Sequence, residues 1–456
     1  MVLGIIAEYN PFHNGHLYHL LKSKEEARKI INTNINQKIN HSKSTITTTQ
    51  SKNLVEDSVI AVIGGNFTQR GEPSLLDKWC KAEMAIANGV DLVIELPVLY
   101  SISSAENFAD GAIKILNSLK IVDSVSFGTE TEDLNKLNII ANTLFKEPKE
   151  YKDLLSIELK SGKSFPKARE QALVKYIQDS GNNVSVTPIS RESFNEPFNL
   201  KNTNFASIVS SPNNILGIEY LKALKKYSSN IKPINIVRKD AGHLSLDYTG
   251  QIASATAVRN LVYSNRLRDV KTYTTPATFT ILSEELKKGH FVKDLSRYEN
   301  IIIYNLRKMS LTEIANFPDV SEGLEHLIKK AANSCNTIHE FINIVRSKRY
   351  TETRIKRILL YCLLGITKKD MMLSKKTTPY IRVLGFNDKG KNLISQIKKA
   401  NPKLSIITSV KKFEDINLNK NLKTILDKDI QATNIYTLGF SQDSWANLDY
   451  TRKIIR

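Results

Sequence analysis

Three of the eight histidines fall within seven residues, in the stretch Asn10-Pro11-Phe12-His13-Asn14-Gly15-His16-Leu17-Tyr18-His19. It lies where a short apolar run, Val2–Ala7, gives way to a helical pattern from about Gly15 to Ile31. In an open parallel sheet, the carboxyl end of a strand is where ligands bind. Gly15 permits close backbone approach of a phosphate, and the helix N-terminus beyond it favours negative charge. His13 and His16 are placed to donate hydrogen bonds to an oxyanion developing at phosphorus. By physical construction this is a site for adenylyl transfer. Two other roles suit the same residues. His16 and His19, at i and i+3, could hold a metal, although no cysteine or acidic ligand completes the set locally. All three could instead cap or pack the helix, an unusual demand on one turn. A dinucleotide fold would need GxGxxG after the first strand, and it is absent. A P-loop fails too, because Gly162-Lys163-Ser164 would need glycine where Ile157 stands.

The elements that must position this window read as α/β. Val2–Ala7, Val59–Ile63, Val90–Leu96 and Val122–Phe127 are short β-branched or apolar runs, and helical spacing separates them at Leu75–Asn88 and Ala105–Leu119. Such alternation predicts βαβ units and a Rossmann-like parallel sheet. Val184–Pro188 and Ile234–Val237 could add strands. The stretch 32–52 shows no hydrophobic period and reads as an exposed, mobile insertion. Beyond Pro276 helical patterns dominate, and Tyr380–Leu384, Lys391–Lys398 and Leu404–Thr408 suggest one strand–helix–strand unit. This divides the chain into a catalytic domain, 1–270, and a mixed, mainly helical, basic domain, 271–456.

With 456 residues, 41% hydrophobic and 24% charged, the chain is too long for one simple core and too apolar for disorder. No apolar run approaches the ~20 residues that span a bilayer. The first residues lack a basic n-region and a cleavage site. Cys80, Cys335 and Cys362 are too few and too scattered for a disulfide framework or a zinc site, which points to a reducing cytoplasm. The formal charge of +19 is uneven, −2 over residues 1–200 and +21 over 201–456. A basic half of this kind is the footprint of a polyanion, usually nucleic acid. Arg354, Lys356 and Arg357 are a natural cluster for that contact.

Several further segments extend the pattern: Gly65-Asn66-Phe67-Thr68-Gln69-Arg70-Gly71-Glu72-Pro73, Asp77-Lys78-Trp79, Asp91-Leu92-Val93-Ile94-Glu95-Leu96-Pro97, Ser211-Pro212-Asn213-Asn214-Ile215-Leu216-Gly217 and Gln251-Ile252-Ala253-Ser254-Ala255-Thr256-Ala257-Val258-Arg259. The histidine window resembles the HxGH signature of class I nucleotidylyltransferases. Together the segments are similar to the bacterial tRNA(Met) cytidine acetate ligase family over residues 1 to about 260, and more loosely beyond. Two local departures are Lys81, where an arginine is common, and Ala241-Gly242-His243, which lacks the tyrosine often seen before that histidine.

The resemblance implies an HxGH nucleotidylyltransferase-like fold and ATP binding by the loop Ile6-Ala7-Glu8-Tyr9-Asn10-Pro11-Phe12-His13-Asn14-Gly15-His16-Leu17-Tyr18-His19. Gly128, Arg238 and one of Asn213 and Asn214 would complete the pocket, and Ser254, Thr256 and Arg259 would hold phosphates. His13 and His16 would be catalytic. The implied reaction joins acetate to ATP as acetyl-adenylate, then acetylates N4 of the wobble cytidine of elongator tRNA(Met). Mg2+ is expected with ATP, without a legible protein ligand set, and neither a membrane nor a protein partner is called for. Rival functions are a small-molecule adenylyltransferase and a non-catalytic RNA-binding protein with a vestigial nucleotide site. Asp91, Glu95 and Trp79 read as structural, whereas the turn Gln69-Arg70-Gly71-Glu72 reads as functional, holding acetate or the cytidine.

Overall fold

The computed structural model describes residues 1–41, 57–163, 165–180, 205–238, 252–377, 379–416 and 419–456. Strands β1 (Val2–Ala7), β2 (Ser58–Gly64), β3 (Leu92–Leu96), β4 (Ser124–Thr129), β5 (Lys232–Val237), β6 (Ile381–Phe386) and β7 (Ile406–Ile407) form one sheet in the order β5-β4-β1-β2-β3-β6-β7. The first five are mutually parallel. Residues Val59 to Ile63 are wholly buried, as expected where helices cover both faces of a parallel sheet. The chain adds β2 and β3 on one side of β1, then β4 and β5 on the other. The strand order therefore reverses between β1 and β4, and their carboxyl ends frame the crevice where the histidine window sits.

Local hydrogen bonds set where the helices start. Helix α1 spans Asn14–His41, α2 Lys78–Ala87, α3 Val98–Ser101 and α4 Ala105–Ser118. Asp77 caps α2 by accepting the Cys80 N–H at 2.8 Å, so the helix begins three residues after the expected Leu75. β3 begins at Leu92, and just before it the Asp91 carboxylate takes the Val59 N–H at 2.8 Å and the Asn387 amide at 2.9 Å. Asp91 is structural, as is Trp79, which is 3% exposed. The expected insertion 32–52 needs correction, since α1 continues through it to His41. Ile31, Ile35 and Ile39 recur every four residues, a helical period hidden among polar neighbours. Residues 42–52 and the candidate strand Val184–Pro188 lie outside the described residues.

The second half joins the same sheet. β6, a helix at Asp388–Ala400 and β7 make the expected strand–helix–strand unit, with β6 antiparallel to β3. Ile455 bridges Gly385 beyond it. Phe67, Val98, Leu99 and Ile102 belong to a hydrophobic cluster otherwise built from residues 292–440. Sheet and core thus run across the texture change near residue 270. The basic cluster foreseen as an RNA contact has partners within the fold. Arg354 donates to the Asp319 carbonyl at 2.9 and 2.7 Å, and Arg357 to the Asp319 carboxylate at 2.8 Å. Lys356 pairs with Glu72 at 2.7 Å and Glu352 at 2.8 Å. A charge count cannot see such distant partners.

Behind the crevice lies a buried ionic group. Lys78 Nζ donates to both Glu95 oxygens at 2.9 and 3.0 Å and to Asp449 Oδ1 at 2.8 Å. Arg382 reaches the same Asp449 oxygen at 3.1 Å, and all four residues are at most 5% exposed. Removing one partner of a buried set leaves charge without compensation, which costs ~3–5 kcal/mol. Lys78→Ala should lower stability by that order, read from the urea unfolding midpoint at constant slope. A loss below ~1 kcal/mol, the scale of exposed pairs, would show that the halves are not joined through this lysine.

Candidate active site

The window forms a tight turn after β1, with Tyr9 at φ 47 and a cis peptide bond between Asn10 and Pro11. The His13 carbonyl accepts the N–H of His16 at 2.8 Å and of Leu17 at 3.1 Å, starting α1. The two imidazoles lie against each other, with ring centroids 3.8 Å apart and planes tilted by 31°. Gly15 N–H donates to His13 Nδ1 at 3.0 Å, and His13 N–H donates to His16 Nδ1 at 3.3 Å. Both Nδ1 atoms are therefore acceptors, and in neutral rings the proton must sit on Nε2. A Cβ at Gly15 would come within 2.9 Å of His13 Cε1, so only glycine lets the ring reach its own turn.

Burial keeps these rings neutral. It pulls the His13 pKa down to about 3, helped by the positive charges of Arg238 and Arg259. His16 is held well below its ordinary value by burial first, then by His13, Arg238 and His19. His19 falls to about 4 through burial and Arg238. His19 serves β4, lying 3.2 Å from Ser126 Oγ. Of the pair considered for a metal, His16 Nδ1 takes the His13 N–H and His19 Nε2 lies against Ser126. Among the described residues, no three His, Cys, Asp or Glu side chains are grouped to hold a metal ion.

The other expected residues converge from β4, β5 and two helices. Arg238 follows β5, with its side chain packed over Gly128. Its guanidinium donates to Asn213 Oδ1 at 3.1 Å. Asn213 also donates to Glu130 Oε1 at 2.6 Å, so both ends of its amide are used. Asn214 is buried, its Oδ1 accepting the N–H groups of Glu130 at 2.9 Å and Thr131 at 3.2 Å. Its Nδ2 has no partner among the described residues. Ser254 caps the helix Ala255–Tyr263 by accepting the Ala257 N–H at 3.1 Å, and Ile252 packs on the Gly15 position. Arg259 donates to the Asn10 carbonyl at 2.9 Å and to Thr256 Oγ1 at 3.2 Å.

Much of the loop is scaffold. Ile6, Tyr9, Phe12 and Tyr18 are buried in the cores, and Ala7 and Leu17 pack against one. Asn14 donates to the Thr272 carbonyl at 3.0 Å, and Asn10 Oδ1 accepts the Leu75 N–H at 2.7 Å. Sequence reasoning passed over Glu130, whose two oxygens take the backbone N–H groups of Asn213 and Asn214 at 3.2 and 2.8 Å. Its place just beyond a strand's carboxyl end was the available signal. Lys81, where arginine was expected, is fully satisfied by the carbonyls of Gly64 and Gly65 at 2.7 and 2.6 Å and by Ser74 Oγ at 3.1 Å. His243 lies outside the described residues.

The lowered histidine values fix a pH dependence. An unfolded histidine takes up its proton near pH 6.5, whereas folded His13 and His19 resist until about 3 and about 4. Over that interval the unfolded chain binds more protons, so stability rises with pH. The urea midpoint should therefore fall steadily between pH 6.5 and 4.5, and His19→Asn should flatten the fall. An unchanged pH slope in that variant would mean His19 is not the buried neutral ring described.

Comparison with known proteins gives this geometry its relatives. The HIGH nucleotidyl transferase family matches residues 1–33 and 45–449. The tRNA(Met) cytidine acetate ligase of Thermoanaerobacter sp. (strain X514) is 43% identical, covering 100% of this chain and 99% of the relative. The ligase of the same name from Caldanaerobacter subterraneus subsp. tengcongensis is 42% identical, with the same coverage. The crystal structure of Thermotoga maritima TmcAL bound with alpha-thio ATP superposes with a TM-score of 0.84 at 31% identity, covering 100% of this chain and 99% of that one. Its apo form gives 0.85. The sheet, its switch point and full-length identity agree: the chain belongs to the tRNA(Met) cytidine acetate ligase family of HIGH nucleotidyl transferases.

Proposed function

We propose that this chain activates acetate with ATP and passes the acetyl group to N4 of the wobble cytidine of elongator tRNA(Met). The observation that carries this is the pair of neutral imidazoles beside Arg238 and Arg259 at the β1/β4 crevice, in a chain 43% identical to such a ligase along its length. An acetate oxygen attacks the α-phosphorus, pyrophosphate leaves, and acetyl-adenylate forms. The cytidine N4 then attacks the acyl carbon, loses a proton, and AMP departs. Charge gathers on phosphate oxygens in the first step. The Nε2–H groups of His13 and His16 meet it as fixed donors, and Arg238 and Arg259 supply the positive field.

Asn214 orients ligand through its Nδ2, because its Oδ1 is pinned, whereas Asn213 positions Arg238. Ser254 and Thr256, at the start of their helix, receive phosphate oxygens. Mg2+ accompanies the triphosphate, and no step above runs through it. The basic half beyond residue 270 carries the tRNA. No helix among the described residues is long and apolar enough to cross a membrane, and the cytoplasm, where tRNA is found, is the proposed location.

Incubating the protein with ATP, labelled acetate and bulk tRNA should yield acetylated cytidine; labelled acetyl-adenylate with no labelled RNA would limit the proposal to its first half. His16→Ala should lower acetate-dependent pyrophosphate exchange by ~10²-fold, the scale of losing one transition-state donor. Near-parental exchange in a folded variant would remove His16 from the chemistry.

A further inference from the structure

Between β2 and α2 the chain makes a short excursion, residues 66–74, in which Asn66, Thr68 and Ser74 are buried and hydrogen-bonded. Asn66 donates to Thr433 Oγ1 at 3.1 Å and accepts the Lys78 N–H at 2.8 Å. Thr68 and Glu72 close the turn, the Thr68 N–H donating to the Glu72 carbonyl at 2.8 Å. Phe67 is wholly buried, with its ring 5.8 Å from that of Tyr436. The apex, Gln69-Arg70-Gly71, is wedged between the histidine window and the helix Glu352–Leu364. On one side Gln69 N–H donates to Glu8 Oε1 at 2.8 Å, at the root of the histidine window. On the other, Gly71 at φ +81 lies so close to the helix Glu352–Leu364 that a Cβ would sit 2.5 Å from the Arg357 nitrogen.

Of the two charged side chains on this turn, Glu72 is consumed by Lys356 at 2.7 Å. Arg70 is exposed and has no hydrogen bond or ion pair among the described residues. With its other charged side chain paired, the turn leaves this guanidinium as a free charge at the surface. Beyond Glu72 the surface carries an aromatic ring among charges of both signs. The Tyr263 hydroxyl donates to the Lys293 carbonyl at 2.6 Å, and the charges of Arg259, Glu72 and Asp294 all act on it. The exposed Lys293 ammonium stands 5.9 Å over the Tyr263 ring. Cations around an aromatic face are the usual surface for a nucleic-acid strand. A two-carbon carboxylate would gain little from so exposed a guanidinium. A phosphodiester chain gathers many such contacts through counterion release.

We infer that Arg70 binds a backbone phosphate of the tRNA and so seats the RNA strand beside the activation crevice. The inference rests on the proposed acetyl transfer and names the contact that brings its second substrate in. The test uses Arg70→Ala and Arg70→Lys in the full chain with a tRNA(Met) transcript. In Arg70→Ala the kcat/KM for tRNA should fall by about 10-fold or more, the scale of one charge-assisted hydrogen bond. The slope of log affinity against log salt should flatten by nearly one unit, the share of one phosphate. Arg70→Lys should recover most of both, because a phosphate accepts a point charge. Acetate-dependent pyrophosphate exchange without tRNA should stay near the parent value.

Parental tRNA affinity and salt slope in Arg70→Ala would overturn the inference. So would a raised KM for acetate with unchanged RNA affinity, which would give Arg70 to the small substrate. Unfolding is checked by thermal melting, and Arg70→Gln gives a second variant of closer size. A parent protein that acetylates no tRNA would instead overturn the proposed function, and the salt series with the transcript would still decide the role of Arg70.

Discussion

Two backbone N–H groups, those of His13 and Gly15, determine what the crevice can do. Each ends on the Nδ1 of an imidazole, and so each forces the ring to carry its proton on the opposite nitrogen. The burial that lowers the pKa values of His13 and His16 then keeps them uncharged at neutral pH. The result is a pair of uncharged imidazoles, each with its proton on Nε2. Positive charge is supplied separately, by arginines that cannot lose it. Dividing the two tasks avoids burying several cations in one place without an anion to hold them.

That arrangement is held from behind by polar groups that link distant parts of the chain. Glu130 fixes the start of the helix Pro212–Lys226, Asn213 ties it to Arg238, and Arg259 grips the Asn10 carbonyl. Each is one hydrogen bond of modest net worth. They matter by direction, because they bring the ends of β1, β4 and β5 and the start of the Ala255–Tyr263 helix to one place. The excursion 66–74 adds a second contact surface, touching Glu8 on the crevice side and Lys356 on the other.

Much of this was legible before any coordinates. The parallel sheet showed in its apolar runs, and the histidine window showed in the density of one residue type. The limits were also physical. The start of α2 depends on an Asp77 cap, which pattern alone puts three residues early. The continuation of α1 was hidden because its isoleucines are diluted by asparagine and threonine, residues that usually signal loops. Arg354, Lys356 and Arg357 looked free because their partners, Asp319 and Glu72, are remote in sequence. Net charge reports how many cations there are, and only packing reports which are available. For Glu130, a lone carboxylate gave no hint that both oxygens would hold another helix.

The distance along the chain between Lys78 and Asp449, 371 positions, has a consequence for how the protein is made. Synthesis is directional, so the lysine, its helix and three strands of the sheet leave the ribosome long before their last carboxylate exists. During that interval the ammonium can pair only with Glu95, and β3 presents an open edge that β6 will later occupy. Contacts of such sequence separation close late, because loop entropy is spent before they form. The nascent crevice must therefore wait in a loosened state, with its interior charge still reached by water. The crevice takes its final packing only when the far segment docks and Asp449 joins Lys78.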